Sequence, residues 1–381
     1  MRFFLPKRIN KPLWLIGTLL LLSLLLQGGG YYRGVPTRAQ LQEALELVRQ
    51  RSSRDADMAF FELDVNLEKN KLVLRGKVGD VEQKLLILAG FQQFSLPVVD
   101  QVEIFPFRQV SMPYAWVRTP WLDGRTEPKA GAPLKTQFLF GSFLKVLKTQ
   151  GDWAMVQSVS DRFIAWVPYP EILPVAEAKF NEWIAFDSVL VHTAETQLFQ
   201  DEARTQPLLK LVAGTRLSLQ KVLDSGYQVL VPGATGATPA FVNKEDLRLF
   251  IPGQPLIAEA LAAEAKRWLK VPYLAGGNTI KGWDDSACIQ HLYRQIGVLL
   301  PRKSSQLLPL TLAIRDSNQL KPGDLYFYGQ QVGLYLGNDD VLHALPEQGQ
   351  FLVSSLHPGN PRYFKPLQTG FKQGARLLLG N

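Results

Sequence analysis

The sequence predicts a multi-domain α+β chain, and three observations carry that expectation. At 381 residues, with 46% hydrophobic and 20% charged side chains, the composition is ordinary for globular protein and the length exceeds one typical domain. An α-β-β-α-β pattern near the N-terminus is followed by short apolar alternations that run through the same landmarks twice. Near the C-terminus a turn-rich stretch, VPYLAGGNTIKGWDDSAC from Val271 to Cys288, leads into a helical pattern through Cys288, Ile289, Leu292 and Ile296.

The formal net charge is +8, and Arg2, Lys7, Arg8 and Lys11 supply half of it before residue 31. The remaining excess suits polyanionic envelope surfaces, and no basic stretch is interleaved with aromatics in a way that argues for nucleic acid. Cys288 is the only cysteine, which excludes an internal disulfide framework and a cysteine-rich zinc site. After the basic start, an apolar run from Leu13 to Leu26 ends at Gln27 and three glycines. Residues 1–30 therefore read as a secretory signal peptide or as an uncleaved N-terminal membrane anchor, with export expected in either case. The expected location is the periplasm or cell envelope, with a membrane contact if the segment is retained.

Residues 36–106 make the first domain. Thr37 with Gln40 reads as a capping box, and Leu41, Ala44, Leu45 and Val48 share one helical face. Phe61, Leu63, Val65 and Leu67 alternate with polar residues as a half-buried strand; Lys71 to Val78 is a second strand, Val81 to Ala89 a helix and Val98 to Ile104 a third strand. This order, with the run ELDVNLEKNKLVLRGKV, resembles the BON-type α/β domain of bacterial envelope proteins.

Pro106 to Pro113 reads as a linker. Residues 113–175 and 184–250 then read as two copies of one small all-β module. Gly141 to Val146 parallels Gly214 to Leu219, Trp153 matches Tyr227, and Ala165-Trp166-Val167 matches Ala240-Phe241-Val242. GRTEP, GDWAMVQ and the AWV close resemble bacterial SH3-like barrels. The aromatics Trp121, Trp153, Phe163 and Trp166 fit barrel core and packing, or a stacking surface for glycan or peptide.

Residues 255–381 carry the blocks PYLAGG, GWDDSA, LPRKSSQ, LKPGDLYFY, QVGLYLG and LHA in order. They resemble the NlpC-type cell-wall cysteine peptidases, a papain-like α+β superfamily, and SH3-like barrels commonly precede such domains. The resemblance implies a catalytic cysteine at position 285, a histidine base at 331 and an orienting residue at 343. This chain has Asp285, Gln331 and His343 there, and Ala275 where the family has tryptophan.

A thiolate at a helix start is favoured by free N–H groups and the helix dipole, and an imidazole would serve as its base. A carboxylate at that position attacks an amide poorly, and glutamine cannot accept and return a proton as imidazole does. Cys288, three residues on, is an alternative nucleophile or, in the family's apolar position, a core residue. Asp284, Asp285 and His343 offer acceptable metal ligands but no recognised spacing, and no metal or cofactor is expected. Asp285 also suits a helix N-terminus, bonded to free N–H groups and paired with His343. Tyr273, Asp284 and Ser286 are the expected substrate-binding residues, Ser286 as a helix-terminal hydrogen-bonding group. His192, His291 and His357 match no catalytic position and read as surface or packing residues.

The leading expectation is an exported envelope protein whose degenerate peptidase domain binds peptidoglycan stem peptide, glycan or an envelope partner protein without cutting. An active peptidoglycan hydrolase with an altered site (Cys288, Asp285 or a metal) is the alternative, and a structural or assembly role is the third reading.

Overall fold

The computed structural model describes residues 34–52, 55–233, 236–252 and 258–378. The apolar run at 13–26 and the signal or anchor expected at 1–30 lie outside the described residues. The chain divides into two compact units with the break after Phe107. Among the described residues no helix is long and apolar enough to cross a membrane.

The first unit holds α1 (Arg38–Ser52), β1 (Phe61–Glu68), β2 (Lys71–Val78), α2 (Val81–Phe91) and β3 (Val98–Ile104). This is the expected α-β-β-α-β order. Thr37 Oγ1 accepts from the Gln40 N–H at 3.2 Å while Gln40 Oε1 accepts from the Thr37 N–H at 2.8 Å, the reciprocal capping expected for α1. β1 and β2 pair antiparallel through a two-residue turn in which Lys69 and Asn70 both adopt positive φ, the twist that suits a tight hairpin. β3 joins β2 in parallel, as a crossover through α2 allows. Leu41, Ala44, Leu45 and Val48 meet Leu72, Leu74, Ile87 and Phe91 in one core, and α2 runs to Phe91 because that ring is buried there.

The second unit opens with seven strands: β4 (Tyr114–Val117), β5 (Trp121–Arg125), β6 (Leu134–Leu139), β7 (Phe143–Gln150), β8 (Trp153–Ser158), β9 (Ile164–Pro168) and β10 (Ile172–Val175). After α3 (Glu177–Ile184) come seven more: β11 (Ser188–Val191), β12 (Glu195–Phe199), β13 (Pro207–Val212), β14 (Arg216–Val222), β15 (Gly226–Pro232), β16 (Ala237–Asn243) and β17 (Leu247–Phe250). The sheets run β10-β4-β7-β8-β9-β5-β6 and β13-β12-β16-β15-β14-β11-β17. Read from opposite ends these are one strand order, so the sequence repeat is a structural repeat. Trp166 and Phe241 hold equivalent places, opposite Arg125 and Phe199. Of the four aromatics weighed for stacking, Phe163 and Trp166 are buried, while Trp121 and Trp153 are half-buried.

The repeats are locked together rather than strung on a linker. Phe180 of α3 stacks on Tyr114 at 3.8 Å, Trp183 packs on Trp116 at 5.0 Å, and Phe140 of the first module inserts into the core of the second.

The rest of the second unit contains α4 (Ala258–Arg267), a minimal hairpin of β18 (Asn278–Thr279) and β19 (Gly282–Trp283), α5 (Asp285–Gln295) and α6 (Ser304–Leu307). Then follow β20 (Thr311–Ile314), β21 (Leu325–Tyr328), β22 (Gln331–Gly337), β23 (Asp340–Leu345), β24 (Gln350–Ser355), α7 (Lys365–Thr369) and β25 (Phe371–Leu377). The six longer strands form an antiparallel sheet ordered β20-β25-β21-β22-β23-β24. α5 lies across β22, with Ala287, Cys288 and Leu292 packed against Leu325, Val332 and Leu334.

The glycine-rich loop ahead of α5 is pressed onto the first module. Gly276 has φ +75°, and a Cβ there would meet the Leu134 carbonyl oxygen at 2.5 Å. Both the backbone conformation and the space demand glycine. Gly276→Ala is expected to destabilise the second unit by about 1–3 kcal/mol, read as a melting temperature lower by several degrees with the first unit unaffected.

Candidate active site

The site grows from the start of α5. Asp284 is its N-cap: the residue is extended, and its Oδ1 accepts from the Ala287 N–H at 2.8 Å. The same carboxylate is gripped by Arg302, whose Nη1 and Nη2 donate to its two oxygens at 2.9 and 2.7 Å. Arg302, in the LPRKSSQ block, is only 2% exposed. Its remaining donors reach Gly277 O at 3.1 Å and Thr136 Oγ1 of β6 at 3.0 Å. A buried guanidinium needs acceptors of this kind, because each unmet donor would carry its desolvation cost. From the same strand, Gln137 accepts from the Asn278 N–H with its side chain and from the Asn278 amide with its backbone. The first module thus holds the loop that leads into α5.

Asp285 is the first helical residue. Its Oδ2 accepts from the Val332 N–H of β22 at 2.9 Å, and its Oδ1 from the Ser286 N–H at 2.8 Å. Burial pushes its carboxyl up from the usual range. The two N–H donors and the Arg302 charge pull it back, the Asp284 charge adds to the rise, and the net direction is upward. Asp285 thus sits at the helix N-terminus bonded to a free N–H group, as expected, while the N-cap itself is Asp284. Asp285 also ties the helix start to the sheet.

Gln331 begins β22, one residue before that tie. Its Oε1 accepts from the Tyr328 hydroxyl at 2.5 Å. The same hydroxyl lies 3.2 Å from His343 Nδ1 and 3.3 Å from the Ala344 carbonyl. His343 Nε2 is 2.9 Å from Ser354 Oγ, and the ring stacks on Phe364 at 5.2 Å. His343 is 1% exposed. Burial drives its pKa down to about 4, so the ring is neutral at ordinary pH. The expected Asp285–His343 pair is not formed. Both imidazole nitrogens are committed to Tyr328, Ala344 and Ser354, and Tyr328 relays between His343 and Gln331. Tyr328, which sequence reasoning did not single out, links positions 331 and 343, while Asp285 meets β22 at Val332, one residue on from Gln331.

Cys288 sits one turn further into α5 and is 4% exposed within the core. Burial, then the charges of Asp285 and Asp284, push its thiol up, the opposite of what a nucleophile needs. Ser286 Oγ accepts from the Ser304 N–H at 3.1 Å, joining α5 to α6. Tyr273 is half-buried and bridges to Trp283. Burial raises its pKa, with further rises from Asp285, Asp284 and Glu347, which places its hydroxyl in the field of the site's acids. Asp284, Asp285 and His343 do not converge, and among the described residues no three His, Cys, Asp or Glu side chains gather as a metal site. His291 is 2% exposed, packed between Trp268 and Trp283.

Arg302 was the other residue not singled out, although a lone arginine in an otherwise apolar Leu-Pro-Arg turn is the kind of residue that needs a buried partner.

Residues 270–369 match the NlpC/P60 family, and residues 124–169 match the bacterial dipeptidyl-peptidase Sh3 domain. The chain carries an NlpC/P60 domain. It is 24% identical over 253 residues to the gamma-D-glutamyl-L-lysine dipeptidyl-peptidase of Bacillus cereus, a match covering 61% of this chain and 73% of that protein. It is 35% identical over 97 residues to the murein DD-endopeptidase MepS/murein LD-carboxypeptidase of Escherichia coli, 24% of this chain and about half, 51%, of that relative. The fold is similar to the crystal structure of an NlpC/P60 family protein from Bacillus cereus, with a TM-score of 0.60 at 21% identity, covering 70% of this chain and all of that one.

Two outcomes follow from the site. Arg302→Ala leaves the part-buried Asp284 carboxylate without its ionic partner, and is expected to cost about 3–5 kcal/mol in denaturant unfolding of the second unit. For His343 the folded pKa is about 4 against an ordinary value of 6.5, so the unfolded chain binds its proton first. That histidine costs stability as pH falls below 6.5, with the full loss reached below about 4. His343→Gln should therefore compare progressively better with the native chain across that window, by up to about 3 kcal/mol in unfolding titrations at each pH.

Proposed function

We propose that this chain is an exported envelope protein whose NlpC/P60 domain holds a peptidoglycan stem peptide without cleaving it. The observation that carries the reading is the commitment of Asp285. It occupies the position that the family resemblance assigns to the nucleophile, and both its oxygens already accept backbone N–H groups. The residue at the base position, Gln331, accepts from Tyr328, and the site's imidazole is buried and neutral. No thiol or imidazole is presented to a substrate carbonyl at these three positions. A carboxylate with both oxygens occupied would, on attack, expel an amine from an anhydride-forming adduct, an unfavourable route.

The relatives' names support the wall as the ligand: a dipeptidyl-peptidase and a murein endopeptidase. Tyr273, beside Asp284 and Asp285, is the residue we assign to the peptide groove. In this reading the first unit is a BON-like domain, the two seven-stranded modules are SH3-like, and the leading segment directs export.

The test is mass spectrometry of muropeptides and sacculi incubated with the purified protein, with co-sedimentation on sacculi in parallel. The native chain is expected to co-sediment and to release nothing. Asp285→Cys with Gln331→His is expected to generate cleavage products. Products from the native chain would overturn the reading, and a parallel Cys288→Ala sample would show whether that thiol is responsible. Failure to co-sediment would remove wall binding.

A further inference from the structure

Away from positions 285, 331 and 343, the second unit has a half-open cavity of about 340 Å³ where its three parts meet. Its walls come from the first module (Phe143, Asp161), the connecting segment (Trp183), the second module (Arg216) and the C-terminal domain (Asn278, Arg294). Two features of this cavity call for a ligand.

The first is uncompensated positive charge. Arg216 lies with its Cζ 4.1 Å over the Phe250 ring and donates from Nη2 to Ser188 Oγ at 3.0 Å, and its Nε is buried with no hydrogen-bond partner. Arg294 donates from Nη2 to Gln290 Oε1 at 3.0 Å, and its Nη1 lies against Gly214, where a Cβ would meet it at 3.1 Å. Neither guanidinium forms an ion pair among the described residues. Asp161 is the acid in the cavity wall, and its oxygens are taken up by the Phe163 N–H at 3.2 Å and the Gln290 amide at 3.1 Å. Two half-buried cations thus face one carboxylate that is already engaged, leaving an excess of one positive charge. Burial lowers both arginine pKa values to about 10, so both stay protonated at neutral pH. Burying charge this way is costly unless an anion completes it.

The second feature is an unmet acceptor. Asn278 donates its amide to the Gln137 carbonyl, while its Oδ1 is buried without a partner. An N–H or O–H on the ligand would satisfy it.

We propose that this cavity binds a small monoanionic carboxylate bearing an N–H donor and an apolar body, the chemistry of an N-acylated amino acid or a peptide C-terminus. The carboxylate takes the Arg216–Arg294 pair, the amide N–H takes Asn278 Oδ1, and the side chain lies on Trp183 and Phe143. Guanidinium groups favour carboxylates through charge-assisted, often bidentate hydrogen bonds. A phosphate dianion would overcompensate the single excess charge and bring no apolar group to the aromatic wall. The proposal is independent of whether position 285 performs chemistry.

The experiment is isothermal titration of the full chain with N-acetyl-L-phenylalanine, N-acetyl-L-phenylalanine amide and inorganic phosphate, on the native protein and on Arg216→Gln and Arg294→Gln. The acid is expected to bind saturably. The uncharged amide is expected to bind about tenfold or more weakly, the fold-change that loss of a charge-assisted hydrogen bond produces. Each variant should weaken the acid by a similar factor while keeping the native melting curve. The amide comparison needs no substitution, so it stands even if a variant misfolds. Equal binding of acid and amide, or no saturable binding of the acid, overturns the proposal. Phosphate binding more tightly than the acid overturns the carboxylate assignment.

Discussion

Arg302 and Asp284 hold the second unit's chemistry in place. One buried guanidinium binds the N-cap carboxylate of α5, the carbonyl of the glycine-rich loop and a threonine of the first module. A buried pair of this kind adds little net stability over an apolar substitute, because desolvating both ions offsets their attraction. Its value is geometric. It fixes where the helix begins, how the loop approaches it, and how the first module sits against both. Everything at position 285 inherits its placement from that anchor.

Within this frame the N-terminus of α5 stabilises negative charge, as any helix start does. Here it receives a carboxylate, which is bonded on one side to its own helix and on the other to β22. Asp285 has become a fastener between helix and sheet, and the Gln331–Tyr328–His343 chain is a second buried polar network beside it. Buried networks of this sort rigidify when satisfied and are costly when broken.

The two modules contribute more than spacing. Phe140 completes the second module's core, and Thr136 and Gln137 hold the glycine-rich loop. The same packing leaves two arginines from different parts of the unit facing one cavity without ionic partners.

The sequence by itself determined the order and extents of the first unit's elements, the two-fold repeat that follows them and the helix that leads through Cys288. The period-two alternation at Phe61–Glu68 and Lys71–Val78, the Thr37–Gln40 cap and the repeated Gly141/Gly214 and Trp166/Phe241 landmarks are local signals, and local signals survive in one dimension. The helix from Asp285 and the burial of Cys288 were legible from apolar spacing for the same reason. Tertiary structure alone decided the partners. That the N-cap carboxylate of Asp284 would be gripped by Arg302, eighteen residues away, left no trace in either local pattern. That His343 would turn to Tyr328 and Ser354 rather than to Asp285 depended on which side chains β21, β23 and β24 bring together. The facing of Arg216 and Arg294 required two domains to pack. A hydrogen-bond partner is set by distance and direction between elements, and periodicity along one element carries no record of either.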